Sequence, residues 1–152
     1  AKNMPAYSYP AGMTELVLDT TRAIHNLLWN GTFGKFPNIK WIMPHGGGTI
    51  PMLAGRVTNS TKDVKTIKDV APNGIVAEFQ RFYFDTAQAH SAPAMAAIMK
   101  LTTVSKLVFG SDFPYYTEDD TVNGLEKAGF STADLNKIYY ENAYGLVPRL
   151  KA

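Results

Sequence analysis

The sequence predicts an α/β fold in which three short parallel strands alternate with helices. Three segments of four or five residues are rich in apolar and aromatic side chains, and they stop at proline, aspartate or glycine. Around these segments, apolar residues recur at the three- and four-residue spacing of helices. Strands that alternate with helices in this way are typical of a parallel sheet.

The composition agrees with one folded unit and removes several function classes. Of 152 residues, 45% are hydrophobic and 18% are charged, so we treat 1–152 as a single domain. The net charge is only +2 and no basic run is interleaved with aromatics, which argues against a nucleic-acid partner. No apolar stretch approaches the roughly 18 residues of a membrane span, and we recognise no signal peptide.

The absence of cysteine narrows the chemistry further. It removes disulfides, thiolate metal sites and cysteine nucleophiles as candidates. It also fits a reducing compartment, so we expect a cytoplasmic protein.

The first elements follow from residue types. Residues 1–12 contain two prolines and a glycine and predict a loop. A helix follows from Thr14, because apolar residues recur on one face, and Gly31 stands where a left-handed residue would end it. The first strand is Ile39–Met43, which Pro44 and a run of three glycines stop.

The later elements continue the alternation. Proline is tolerated in the first turn of the second helix, and a serine followed three residues later by an aspartate indicates a capping box for the last helix. We predict, in order, a helix over Pro51–Asn59, a strand over Arg81–Phe84, a helix over Ser91–Lys100, a strand over Lys106–Phe109, and helices over Thr121–Ala128 and Ser131–Tyr140.

Three strands do not make a complete barrel. They would leave two unpaired edges, and the sheet would be apolar on both faces. A (β/α)₈ barrel needs about 250 residues, so the 152 residues are too few for one of this kind.

Three polar residues closely follow the three predicted strands. His45 follows the first strand, Asp85 the second and Asp112 the third. In parallel α/β folds the carboxyl ends of the strands meet at one edge, where catalytic groups collect. Neutral imidazole and carboxylate are natural ligands for zinc or manganese when no thiolate is available. The same residues could equally cap turns or bind loop amides, and spacing alone leaves both interpretations open.

Other chemistry-bearing residues favour structural roles. His25 lies off the apolar face of the first helix and is expected on the surface, while His90 is expected to be an ordinary loop residue. For Asp85, binding to its own loop amides is favoured over orienting a ligand. The glycines at 46–48 lack the spacings of phosphate-binding loops, so we interpret them as letting a substrate or a metal-bound water approach the backbone.

Three ordered segments resemble the amidohydrolase-related family of metal-dependent (β/α)₈ barrels. Pro37–Gly48, Phe82–Ala87 and Phe109–Pro114 resemble its strands six, seven and eight, and Glu141–Leu146 is similar to its closing helix. The family includes aminocarboxymuconate-semialdehyde, resorcylate and methylsalicylate decarboxylases and pyrone-dicarboxylate lactonase. The resemblance implies the C-terminal half of a TIM barrel of the metal-dependent hydrolase type: strands six to eight and their helices.

The resemblance also implies roles for individual residues. Asp112 would bind the divalent metal, zinc or else manganese, and His45 would act in proton transfer or water activation. Arg56 stands where relatives carry an arginine that reaches a substrate carboxylate, sometimes across a subunit boundary; an exposed helical arginine is an equal alternative. Apart from the resemblance, Tyr115 flanks the loop after the third strand and is expected to line a pocket for an aromatic or unsaturated acid, with packing as an equal alternative, and Asp85 could orient a ligand.

The chain departs from the family pattern in its metal ligands. The His-x-His pair of strand one and the histidine of strand five, which supply most of the ligands in the family, are absent. We expect either that the 152 residues are a segment of a longer enzyme or that a second subunit completes the barrel. A homo-oligomer is also expected from the resemblance.

The expected function is metal-dependent decarboxylation of a small aromatic or unsaturated carboxylic acid. The metal would hold the carboxylate or an adjacent oxygen, and a positioned acid would protonate the carbon that loses CO₂. One alternative is hydrolysis of a lactone, ester or amide at the same site, with metal hydroxide as the nucleophile. The other is a half-barrel without catalysis that acts as an interaction module, which the missing ligands support.

Overall fold

A parallel three-stranded sheet lies at the centre of the fold. Its strands are β1 (Ile42–Met43), β2 (Tyr83–Asp85) and β3 (Leu107–Val108), hydrogen-bonded in that order and all parallel. The computed structural model describes residues 8–60 and 67–151, so the first seven residues of the predicted opening loop lie outside the description. The prediction of an α/β fold with parallel strands in this order is confirmed.

Helices follow each strand and close the structure. They are α1 (Glu15–Trp29), α2 (Thr32–Lys35), α3 (Ile50–Ser60), α4 (Ile67–Val70), α5 (Ile75–Gln80), α6 (Ala92–Leu101), α7 (Glu118–Lys127), α8 (Thr132–Asn136) and α9 (Asn142–Leu146). A π-helical turn over Lys137–Glu141 joins α8 to α9. Within the described residues, no helix has both the length and the apolar character that crossing a bilayer requires.

The strands are shorter than predicted because the chain before β2 still closes a helix. The N–H of Arg81 donates to the carbonyl oxygen of Glu78 at 3.2 Å, as part of the end of α5. Tyr83 is the first residue of β2, and its N–H donates to the carbonyl oxygen of Trp41 at 2.8 Å. Of the predicted strand residues before β1, Trp41 gives its carbonyl oxygen to this hydrogen bond, and residues 39 and 40 precede the paired part of the chain.

Three short helices, α2, α4 and α5, lie where no element was predicted, and two predicted helices have different ends. Helices α4 and α5 occupy the stretch between α3 and β2. Helix α7 begins earlier than predicted, because Thr117 and Asp120 bind each other's backbone N–H in a capping box. The last helix begins behind Ser131 as predicted and continues past Tyr140 to Leu146.

The core lies on the face of the sheet that the helices cover. The register aligns Met43, Phe84 and Leu107 across the three strands, and all three side chains are buried. Aromatic rings extend this row, with the centroids of Phe33 and Phe82 4.6 Å apart. Because side chains alternate between the faces of a strand, Asp85 at the end of β2 lies on the opposite face from the buried Phe84.

The sequence suggested that the outer edge of β3 would be unpaired. The last helix covers this edge. Leu107 and Phe109 point their backbone polar groups away from β2. The Asn142 side chain donates to the carbonyl oxygens of Leu107 and Val104 at 2.7 and 2.8 Å. The N–H of Phe109 donates to the carbonyl oxygen of Ile138 at 3.0 Å. Backbone groups that would otherwise be unpaired are thus satisfied.

A buried ion pair ties α5 to the chain that enters β1. Glu78 is only 2% exposed and pairs with Arg81, three residues along the same helix end. The Arg81 guanidinium also donates to the carbonyl oxygens of Phe33 and Pro37, at 3.5 and 2.8 Å. The pair therefore fixes the approach to β1.

We predict that Arg81→Ala lowers the free energy of unfolding by about 2 kcal/mol, because it leaves the buried Glu78 carboxylate without its partner. The matched control is Arg22→Ala. Arg22 pairs with Asp19 at the same three-residue spacing, but both side chains are about half exposed, so a loss below about 1 kcal/mol is expected. Urea denaturation measures both, and equal losses would contradict the account.

Candidate active site

Three loops follow the strands at one edge of the sheet, and each holds one residue in an uncommon backbone conformation. His45 follows β1, Gln88 follows β2 and Asp112 follows β3, with φ angles of 51°, 52° and 67°. Among the described residues, these are the non-glycine residues with positive φ. Such conformations are uncommon and cluster at functional sites. The uncommon conformations therefore lie at the edge of the sheet where the sequence predicted His45 and Asp112.

Two hydrogen bonds hold His45 against the loop after β2. Its backbone N–H donates to Oδ1 of Asp85 at 2.8 Å, and its Nδ1 lies 3.2 Å from the carbonyl oxygen of Ala87. Because a carbonyl oxygen can only accept, Nδ1 carries the proton. In the neutral ring Nε2 is then an acceptor, free to take a proton or bind a ligand.

Asp85 acts as an acceptor for backbone groups. Its Oδ1 receives the N–H of His45 and also that of Ala87, the latter at 3.1 Å. Burial raises the pKa of the Asp85 carboxyl, although these backbone hydrogen bonds oppose the shift. The favoured interpretation, in which Asp85 binds its own loop amides, agrees with this geometry, and the same carboxylate also holds the loop of His45.

The glycines at 46–48 let the His45 loop pack closely against the core. A Cβ atom on the first would lie 2.8 Å from side-chain atoms of Ala89 and Ile98, and on the second 2.8 Å from the Phe84 ring. On the third it would lie 2.5 Å from Oγ1 of Thr21. Protein atoms occupy the room that the missing side chains leave, so the glycines press the His45 loop against the core. Gly46 and Gly48 also line an open cleft, so the approach of a substrate to their backbone stays a prediction.

A hydroxyl network ties the end of this loop to α1. Oγ1 of Thr21 donates to the carbonyl oxygen of Val17 and accepts the N–H of Thr49, both at 2.9 Å. Oγ1 of Thr49 lies 3.0 Å from the same oxygen. Since the single hydroxyl proton of Thr21 is already used, Thr49 donates there.

A cleft of about 420 Å³ opens beside His45, between the first turns of α1, α3 and α6. Its size is in the range of small-molecule sites. His45 and Gln88 are polar groups in its lining, and apolar side chains form most of its wall: Met13, Val17, Met52, Ala94, Ala97 and Ile98. The cleft therefore offers room for one small organic molecule next to an imidazole.

Asp112 lies across the β2 loop from His45. Its Oδ2 accepts a hydrogen bond from the side-chain amide of Gln88, and its side chain is half-buried. Strand β2 lies between β1 and β3, so residues 85–88 contact His45 on one side and Asp112 on the other. The structure brings His45, Asp85 and Asp112 to one edge.

The described residues supply part of a metal site and not a complete one. No group of three or more histidine, cysteine, aspartate or glutamate side chains within residues 8–60 and 67–151 is arranged to hold an ion. The imidazole of His45 and the carboxylate of Asp112 have the ligand chemistry that zinc or manganese takes. Any further ligands would have to come from elsewhere.

The two predicted substrate-binding residues lie outside the cleft. Arg56 is exposed on α3, and Tyr115 is 82% exposed. Neither belongs to the lining of the cleft. Contact of either residue with a substrate stays a prediction.

Sequence reasoning missed Gln88 and misplaced His25. Gln88 carries no titratable group, and its place in the loop after β2, at the same edge as His45 and Asp112, was the available signal. His25 was expected on the surface, but it is half-buried, and burial lowers its pKa. His90 packs on Gly124 of α7, and its role as an ordinary loop residue stays a prediction.

Comparison with known proteins assigns a family. The amidohydrolase family model, Amidohydro_2, matches residues 11–149. Decarboxylase yanB of Aspergillus niger is 33% identical over 140 residues, which cover 88% of this chain and 38% of that protein. The 6-methylsalicylic acid decarboxylase of Penicillium expansum is 29% identical over 97% of this chain and 44% of its own length.

A solved structure agrees with these relatives. The dihydroxybenzoic acid decarboxylase of Polaromonas sp. JS666, solved with bound manganese and the inhibitor 2-nitroresorcinol, has a TM-score of 0.73 and 25% identity. The match covers 90% of this chain and 40% of that one. The chain thus spans less than half of the length of these relatives.

We predict that Gly48→Ala destabilises the protein by about 2 kcal/mol or more, since the new Cβ meets Thr21 and the residue has a φ of 64°. The matched control is Gly55→Ala in α3, where nothing lies within 4 Å of an added Cβ. The control should be neutral or stabilising by up to about 1 kcal/mol. Thermal denaturation compares the two, and a neutral Gly48→Ala would refute the packed-loop description.

We also predict a pH dependence from Asp85. Its raised pKa means that the folded state binds the proton more tightly than the unfolded state. The resulting stability is fully present below the unfolded pKa and is lost as the pH rises through the folded pKa. Asp85→Asn removes this loss, so the free energy of unfolding of the variant should rise relative to wild type as the pH increases above about 4.

The control for this pH dependence is Asp69→Asn, because Asp69 is exposed on α4. Asp69→Asn shows the effect of removing an exposed carboxyl group, and the Asp85→Asn difference is compared with it. Denaturation of all three proteins across the acidic range makes the measurement. An Asp85→Asn difference that is flat or that falls with pH would rule out the assigned direction.

Proposed function

Since the chain belongs to the amidohydrolase family, we propose that it forms part of a metal-dependent decarboxylase of an aromatic or unsaturated carboxylic acid. The proposal depends on one observation: Nδ1 of His45 is hydrogen-bonded to the carbonyl oxygen of Ala87, and the residue lines a cleft for one small molecule. The relatives support the substrate class, because 6-methylsalicylic and dihydroxybenzoic acids are aromatic acids.

The proposed architecture is the C-terminal half of a (β/α)₈ barrel, comprising strands six to eight and their helices. Supporting this, the sheet is parallel, and β1 is an edge strand on which Ile42 is 51% exposed. Unpaired, apolar strand edges are normally covered. Further polypeptide, from the same protein or another subunit of a homo-oligomer, would pair with β1.

Asp112 is the proposed ligand of a divalent ion, manganese or zinc. Its carboxylate is half-buried at the carboxyl edge and carries the charge that such an ion requires. The manganese in the Polaromonas decarboxylase supports this choice of ion. When bound, a divalent ion polarises oxygen atoms of a carboxylic acid and stabilises developing negative charge. The remaining ligands would come from polypeptide outside the described residues.

His45 is the proposed group for proton transfer. Decarboxylation breaks the bond between the substrate carbon and its carboxyl group, releases CO₂ and leaves the electron pair on that carbon, which then takes a proton. A protonated Nε2 can donate this proton while Nδ1 keeps its own proton and donates it in the hydrogen bond to the carbonyl oxygen of Ala87. The ring thus changes charge without turning, because Ala87 and Asp85 hold the residue in both states.

Arg56 and Tyr115 enter the proposal as substrate contacts in the assembled protein. Both are exposed in this chain, so neither is committed to internal packing. Arg56 would reach a substrate carboxylate across a subunit boundary, and the ring of Tyr115 would cover an aromatic substrate from the solvent side.

In the holoenzyme, His45→Gln should reduce CO₂ release by 10²-fold or more, which is the usual contribution of general acid catalysis, while bound metal is retained. His25→Gln on α1 is the matched control and should leave turnover unchanged. Turnover is followed by CO₂ release from aromatic acids and metal by elemental analysis. Full turnover in His45→Gln would remove His45 from the mechanism.

Hydrolysis of a lactone, ester or amide at the same site is the second candidate, favoured by the family's amidohydrolase name. Product analysis separates the two reactions. Decarboxylation releases CO₂, whereas hydrolysis opens a ring or cleaves a bond without CO₂. A protein that binds metal and yields neither product would point to the interaction module.

A further inference from the structure

We infer that Gln88 is a positioning residue that fixes the orientation of the Asp112 carboxylate and, with its loop, the separation of Asp112 and His45. This inference deepens the proposed function and rests on it. Gln88 donates its side-chain amide to Oδ2 of Asp112. It also lines the cleft of His45, and a smaller cavity of about 360 Å³ that it shares with His90, Tyr116 and Asp120. Gln88 therefore stands between the two functional groups.

The loop does not need the Gln88 side chain to keep its shape. Asp85 already binds two backbone N–H groups of the edge. The hydroxyl of Thr86 donates to the carbonyl oxygen of Gly110 at 3.2 Å and accepts its N–H at 3.1 Å. Farther along, the His90 ring packs on α7. Removing the Gln88 amide should therefore release Asp112 and leave the loop in place.

Asp112 depends on this one contact for its direction. Among the side-chain hydrogen bonds of the described residues, the carboxylate of Asp112 takes part in the one from Gln88. The φ of 67° at Asp112 also sets the carboxylate on a backbone that few residues adopt. Without the amide, rotation about the side-chain bonds would spread the carboxylate over several orientations.

An amide suits this task better than a cation. A lysine or arginine at position 88 would pair with the carboxylate and offset its negative charge. The neutral amide of Gln88 occupies Oδ2 and leaves both the charge and Oδ1 available for a ligand. Groups that hold a metal ligand in this way typically contribute 10- to 100-fold to metal affinity.

The first experiment tests the bond itself in the chain without metal. The side-chain amide of Gln88 is compared in ¹H–¹⁵N spectra with that of Gln80, an exposed glutamine at the end of α5. We expect a downfield amide proton for Gln88 that returns toward the Gln80 value in Asp112→Gly, where glycine tolerates the positive φ. A Gln88 signal unaffected by Asp112→Gly would overturn the inference.

The second experiment tests the consequence in the holoenzyme. Gln88→Leu removes the amide at similar length, and Gln88→Asn shortens it while tolerating positive φ, so a loss in both cannot come from backbone strain. Both should weaken manganese affinity by about 10- to 100-fold in chelator competition. Gln80→Leu should match wild type.

Asp112→Asn separates the inference from the proposed function. Loss of manganese in Asp112→Asn with wild-type affinity in both Gln88 variants would sink the role of Gln88 alone. Wild-type affinity in Asp112→Asn would sink the proposed ligand role of Asp112, on which the inference rests. Loss in Asp112→Asn together with weakened binding in both Gln88 variants supports both.

Discussion

The carboxylate of Asp85 receives two backbone N–H groups, and the geometry of the whole edge depends on this acceptor. Strands β1 and β3 have only two residues each, so ladder hydrogen bonds alone hold few of the loop atoms. Side-chain bonds take over that task beyond the strand ends. Asp85 ties the loop after β1 to the loop after β2, and Thr86 ties the latter to the loop after β3. The loop after β2 thus fixes the positions of the loops after β1 and β3.

This dependence explains why uncommon backbone conformations gather here. His45, Gln88 and Asp112 all have positive φ, and such conformations persist only where the surroundings determine them. The glycines at 46–48 permit the close contact with the core that holds the first loop, and the hydroxyl of Thr21 locks its end. Rigidity at these places gives the imidazole one tautomer and the Asp112 carboxylate one direction, which the proposed proton transfer and the proposed metal binding would both require.

The sequence predicted the features that follow from local chemistry. Apolar segments that stop at Pro44, Asp85 and Gly110 gave the strands and their order, and the polar residues behind them gave the edge. Features set by neighbours distant in the chain could not be read in this way. The strand bounds depended on how α5 ends, and the outer edge of β3 is covered by Asn142, whose amide shows its role only once the last helix is in place.

In the candidate site, too, residues with recognisable local chemistry could be predicted, and contacts between distant parts of the chain could not. His45 and Asp112 could be located because imidazole and carboxylate are recognisable chemistry at strand ends. Gln88 escaped notice because its importance lies in a contact across two loops. The close packing of the glycine run could not be predicted, because the atoms that an added Cβ would meet come largely from α1, β2 and α6. The roles of Arg56 and Tyr115 depend on surfaces that this chain leaves exposed.

The central claim is that the edge fixes His45 with its proton on Nδ1. Nε2 is then the ring nitrogen available for the proposed proton transfer. The imidazole nitrogen resonances of His45, resolved by ¹⁵N NMR at a pH where the ring is neutral and assigned with His45→Gln, test this directly. The account predicts a protonated, pyrrole-like Nδ1 and an unprotonated, pyridine-like Nε2. A ring with its proton on Nε2, or one that exchanges between the two tautomers, would contradict it.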